Sequence, residues 1–153
     1  VQCYHGDVQP WDSHTNLEKE HRRLAGEVDG PIAALFADLK RLGLFQETLI
    51  LIGGEFGRTP VVELDNGKPA MGRDHNHWGF SVVLAGGGVK GGSVYGESDA
   101  WGAFPAVDPV TPADLAATLF WRFGLDPARE IFDRTNRPFR LADGEPLRAL
   151  FGG

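Results

Sequence analysis

The chain has 153 residues, 42% hydrophobic and 24% charged, the composition of a folded domain with a core and not of a disordered segment. Fifteen basic against 21 acidic residues leave a net charge of −6, which argues against nucleic acid or an anionic membrane surface as the default partner. The single cysteine, Cys3, excludes an internal disulfide framework and a multi-cysteine metal cage, and no apolar run approaches the roughly 18–20 residues of a bilayer span.

With 21 glycines and 10 prolines, about a fifth of the chain against an average near one in eight, specifically shaped loops make up much of it. Residues 1–16 read as a polar loop with no basic start or apolar stretch of a signal peptide. Leu17, Leu24, Val28, Ile32, Leu35, Leu39 and Leu42 then form one apolar stripe at helical spacing. Gly30-Pro31 predicts a kink or restart within that helix, and Gly43 a stop. Thr48 to Ile52 is a wholly apolar, β-rich run, the pattern of a strand buried on both faces; with the helix before it, it makes half of an α/β crossover unit.

Residues 55–79 show no period. Phe80 to Ala85 is a second candidate for a buried strand. It runs into Gly86-Gly87-Gly88, Gly91-Gly92 and a short strand near Ser93–Tyr95, and 96–110 reads as loop. The glycine run lacks the spacing of a phosphate-binding loop and is better read as a tight turn. Thr111-Pro112 opens a helix, with Thr111 as N-cap and Asp114 three residues on. That helix carries Leu115, Leu119 and Phe123 and stops at Gly124; a last short helix lies near Pro146–Phe151. The class is α/β. Two or three strands are too few for a complete doubly wound sheet, and the chain opens on Val1 with Met71 its one methionine. Together these predict a segment of a larger domain.

The chemistry-bearing residues are few. His14 stands two after Asp12 in the loop before the first helix, and His75 and His77 follow Asp74 at one and three residues. Carboxylates and imidazoles from separate loops suit Zn²⁺, Mn²⁺ or a similar ion in an open site. Glu55 lies just beyond the first strand and its Gly-Gly, at the strand's carboxyl end, where α/β sheets place ligands. Plainer readings compete: Asp12 as a turn-capping carboxylate, His77 as part of a polar surface loop, and Arg58 as an ion-pair partner of Glu55 or a receiver of an anion. His21 falls on the apolar stripe and reads as a packed, hydrogen-bonded histidine; His5 carries little weight. No Gly-x-Ser-x-Gly elbow is present, and nothing around Cys3 marks a nucleophile.

Several strings occur in one order: Trp11-Asp12-Ser13-His14, Gly53-Gly54-Glu55-Phe56-Gly57-Arg58-Thr59-Pro60, Gly72-Arg73-Asp74-His75, Leu84 to Gly92, and Val110 to Thr118. From about Trp11 to the end, the chain resembles the C-terminal part of the DUF1501 proteins, a bacterial family related to sulfatases within the alkaline phosphatase-like superfamily. The resemblance implies an alkaline phosphatase-like α/β/α sandwich, with residues 1–153 as a single partial domain. It implies a divalent metal (Zn, Mn, Ca or Mg) on Asp12, His14, Glu55 and His75, with His77 a further candidate and Asp74 fixing the tautomer of His75. Arg58 and Arg73 would neutralise a sulfate or phosphate ester, of a small molecule or a polysaccharide. Arg58 stands where a histidine often follows the strand-end acid, which weakens the case for a second metal. The superfamily's first metal-binding Asp and its nucleophile have no counterpart here, so a missing N-terminal segment is the implied partner. Export is suggested through the family alone. A non-catalytic scaffold that keeps the fold is the alternative; an intact small hydrolase using metal-bound water ranks last.

Overall fold

The computed structural model describes residues 1–6 and 8–152. Helix α1 (Leu17–Arg41) is followed by a single 3₁₀ turn at Phe45–Glu47 and strand β1 (Leu49–Gly53). Short strands β2 (Gly57–Arg58), β3 (Leu64–Asp65), β4 (Lys68–Pro69) and β5 (His75–Asn76) lead to β6 (Val82–Gly86). After β7 (Glu97–Ser98) and β8 (Pro105–Val107) come α2 (Pro112–Arg122), β9 (Glu130–Phe132), β10 (Pro138–Arg140) and a 3₁₀ turn at Arg148–Leu150. Among the described residues the strands pair antiparallel in twos: β1 with β6, β2 with β5, β3 with β4, β7 with β8, β9 with β10. The fold is thus mixed helix and small antiparallel sheets.

Of the kink or restart expected at Gly30-Pro31, the restart does not occur: helix α1 runs unbroken through Pro31. Its buried stripe also differs in its second half from the sequence reading. Leu24 is fully buried and Val28, Ile32, Phe36 and Leu39 half-buried, while Leu35 and Leu42 are exposed. Phe36 turns inward because Phe45, on the following 3₁₀ turn, meets it edge-on at 5.9 Å. His21 is packed as expected, its Nε2 3.3 Å from the Trp11 carbonyl and its ring 5.2 Å from the indole.

Strands β1 and β6 form where the apolar runs predicted them, but not buried on both faces. Leu51 is 40% and Val83 57% exposed, and these residues lie on opposite faces of the pair because Leu51 sits opposite Leu84 and Ile52 opposite Val83. The glycine run is a turn leaving β6, with Gly86, Gly87 and Gly88 at positive φ. Arg122 Nη2 donates to the Gly87 carbonyl at 2.6 Å, and Lys90 N–H donates to Leu150 O at 2.8 Å, so helix α2 and the tail both close on that turn. The expected strand at Ser93–Tyr95 is displaced to β7, which pairs with β8 inside the stretch read as loop.

Helix α2 is capped as its sequence dictates. Thr111 Oγ1 accepts from Asp114 N–H while the Asp114 carboxylate accepts from Thr111 N–H, a reciprocal capping box with Pro112 behind the cap. The tail docks on the same helix: Glu145 N–H donates to Asp114 and Leu147 N–H to the buried Thr118 hydroxyl.

Candidate metal centre

Three loops, the first of them far from the other two in sequence, are laced together by main-chain bonds. Leu17 N–H donates to Met71 O and Arg73 N–H to Ser13 O. On the other side of the same stretch, Glu63 N–H donates to Gly72 O and Thr59 N–H to Asp74 O. Residues 71–75 therefore form the middle rail of a ladder, with 13–17 on one side and 57–63 on the other. Glycine is required at 72: a Cβ there would run into the backbone of His14. The rail ends in the β2–β5 pair, where Arg58 sits opposite His75.

That ladder brings Asp12, His14 and His75 together, with one ligand atom from each all lying within 4.8 Å of one another. His14 Nε2 lies 3.0 Å and His75 Nε2 2.9 Å from the same oxygen, Asp12 Oδ1. The two imidazole rings are 5.1 Å apart. Phe56 backs His75 at 4.2 Å. A carboxylate oxygen and two imidazole nitrogens on one point are the donor set of a three-ligand zinc- or manganese-type site with an open position.

Two further side chains complete the centre. Glu63 Oε2 lies 2.6 Å from His14 Nδ1. Since a carboxylate only accepts, His14 carries its Nδ1 proton there, which leaves Nε2 facing Asp12 and His75; carboxylates behind metal-ligating histidines work in this way. Arg58 Nη1 donates to Asp12 Oδ1 at 2.6 Å. The charges show in the acidities. Bonds from His75 and Arg58 lower the Asp12 carboxyl to about 2. The bond to Glu63, with the charge of Asp12, raises His14 above its ordinary value against a smaller opposing effect of burial.

The other predicted residues lie apart from the cluster. Glu55 is exposed and faces Arg58 at 4.0 Å, the ion-pair arrangement. His77 is exposed and lies 4.5 Å from the Trp78 ring. Asp74 accepts from the His75 main-chain N–H at 2.7 Å and does not orient the His75 ring. Arg73 Nη1 donates to the adjacent Gly72 carbonyl. Glu63 was not read from the sequence. It sits in a stretch without periodicity, and no spacing links it to a histidine 49 positions away.

The family model described as "Protein of unknown function (DUF1501)" matches residues 1–151. No curated protein and no solved structure shows significant similarity to the chain. With the match covering all but its last two residues, the chain is a member of the DUF1501 family.

Proposed function

We propose that this chain supplies the metal-binding part of a sulfatase- or alkaline phosphatase-like hydrolase that cleaves sulfate or phosphate esters, on an α/β/α sandwich of which these residues form a C-terminal portion. The single observation that supports this reading is the convergence of Asp12 Oδ1, His14 Nε2 and His75 Nε2 from separate loops, with Glu63 behind His14. These three residues would hold the divalent ion. Nitrogen-rich ligation favours Zn²⁺ or Mn²⁺ over Ca²⁺ or Mg²⁺. When bound, such an ion supplies Lewis-acid polarisation of an ester oxygen.

The chain's own residues set the rest. Glu63 keeps the His14 proton on Nδ1 and the ring in place. Arg58, half-buried between Asp12 and Glu55, presents a fixed cation beside the cluster, where an anionic ester group would lie. Arg73 is tied to its own loop and is the weaker candidate for that role. Neither Glu55 nor His77 is needed.

One observation favours a second reading, a scaffold without chemistry. Arg58 already places a full positive charge 2.6 Å from Asp12 Oδ1, the charge that an ion would otherwise bring. Metal content of the purified chain beside His75→Ala and His14→Ala tests the first reading. Near-stoichiometric Zn²⁺ or Mn²⁺, lost in both variants, is expected. A folded wild-type chain without metal after equilibration with either ion would overturn it. Metal bound without ester hydrolysis in a longer family member that carries a nucleophile would leave the scaffold.

A further inference from the structure

Asp12 Oδ1 carries more donors than one oxygen can serve. His14 Nε2 lies 3.0 Å, His75 Nε2 2.9 Å and Arg58 Nη1 2.6 Å from it. A carboxylate offers about four acceptor sites over its two oxygens, so three nitrogens exceed the share of either one. The oxygen on which both histidines converge is the one that an ion held by Asp12, His14 and His75 would take. The histidines would stay as its ligands, so Arg58 is the group that must give way. Its guanidinium is always charged, and two cations on one oxygen repel strongly at such short range.

A second carboxylate stands within reach of that group. Arg58 Nη2 lies 4.0 Å from Glu55 Oε1, about 1 Å beyond a hydrogen bond. The guanidinium is a planar fork, with Nη1 on Asp12 and Nη2 toward Glu55. A shift of about 1 Å therefore exchanges one carboxylate for the other and leaves the cation beside the centre. The Arg58 backbone is held opposite His75 by the β2–β5 pair, which confines the motion to the side chain. The Phe56 ring, 5.6 Å from the guanidinium carbon and 4.2 Å from the His75 ring, gives the moving group a face to slide on. Glu55 is exposed, and among the described residues Arg58 is its one salt-bridge partner.

We propose that Arg58 and Glu55 set the metal affinity of the centre: Arg58 occupies Asp12 in the metal-free protein, and its transfer to Glu55 frees the carboxylate for the ion. This rests on the reading of Asp12, His14 and His75 as metal ligands. Glu55 enters as a positioning residue that receives Arg58, and not as the ligand its place beyond the first strand suggested.

The test is the Zn²⁺ affinity of the wild-type chain, Glu55→Gln, Arg58→Gln and the double variant, by competition with a chromophoric chelator. Arg58→Gln should tighten binding by about tenfold or more, since it removes a cation next to the ion. Arg58→Lys, which keeps the charge, should return the affinity toward the wild-type value, as a mere repair of packing would not. Glu55→Gln should weaken binding severalfold in the wild-type background and have no effect once Arg58 is Gln, because it acts through Arg58. Circular dichroism shows whether each variant folds; should Arg58→Gln not, Arg58→Met, which keeps the packing of the stem, takes its place. A loss on Glu55→Gln that persists without Arg58 would make Glu55 a ligand or a distant charge and overturns the proposal. Equal Zn²⁺ affinity in all four chains also overturns it and leaves the metal centre standing. Absence of Zn²⁺ from all four overturns both.

Discussion

Asp12 Oδ1 is the point on which the candidate centre turns, since His14, His75 and Arg58 all converge on it. Without metal this makes the centre a small charge network whose contribution to stability depends on pH in two opposed ways. The Asp12 carboxyl is lowered to about 2 from 3.8, so its contribution is present above 3.8 and is lost as pH falls toward 2. His14 is raised from 6.5, so its contribution is full below 6.5 and is lost as pH rises through the higher folded value. The metal-free protein should therefore draw most support from this network between those limits, read as thermal midpoint against pH. Glu63→Gln should flatten the upper limb. It should also weaken Zn²⁺ binding by about 10–100-fold, the usual effect of removing the carboxylate behind a ligating histidine, measured by competition with a chromophoric chelator. An unchanged affinity would separate Glu63 from the metal site.

At the level of elements, the contrast between α2 and the site ladder shows what a sequence carries. The Thr111–Asp114 box, Pro112 and Gly124 fix both ends of α2 through neighbours in the chain, and the helix forms over the residues they mark. Capping is local chemistry, complete within four residues. The ladder joins residues 71–75 to 57–63, a short way back in the chain, and to 13–17, more than 50 residues away, and it leaves no periodicity. Phe36 and Leu35 show the same limit within one helix: the spacing admits either as the inward residue, and Phe45 from the next element decides. Thr118 ties α2 to the tail, its hydroxyl donating to Asp114 O and accepting from Leu147 N–H. Thr118→Val keeps the shape but strips the Leu147 amide of its partner. A loss of about 1–3 kcal/mol is expected from denaturant unfolding, with metal affinity unchanged because the centre lies on other segments.

Taken whole, the molecule keeps much of its apolar surface in water. The denaturant slope of unfolding scales with the surface newly exposed, so a chain that already exposes 11308 Å² should unfold in urea with a slope below the usual value for 153 residues. A slope of ordinary size in the isolated chain would mean that in solution the exposed strands are covered. No helix among the described residues is long and apolar enough to cross a membrane. The sequence by itself determined the helices, the two apolar strands, the family, and a candidate set of Asp12, His14, Glu55, His75 and His77, because each is written in local spacing or in a contiguous string. Tertiary structure alone decided that Glu63 joins them and that Glu55 and His77 stand apart. It also decided that the apolar strands pair antiparallel with faces and edges still open. Those outcomes depend on which distant segments share main-chain hydrogen bonds, and no local pattern of residues encodes that pairing.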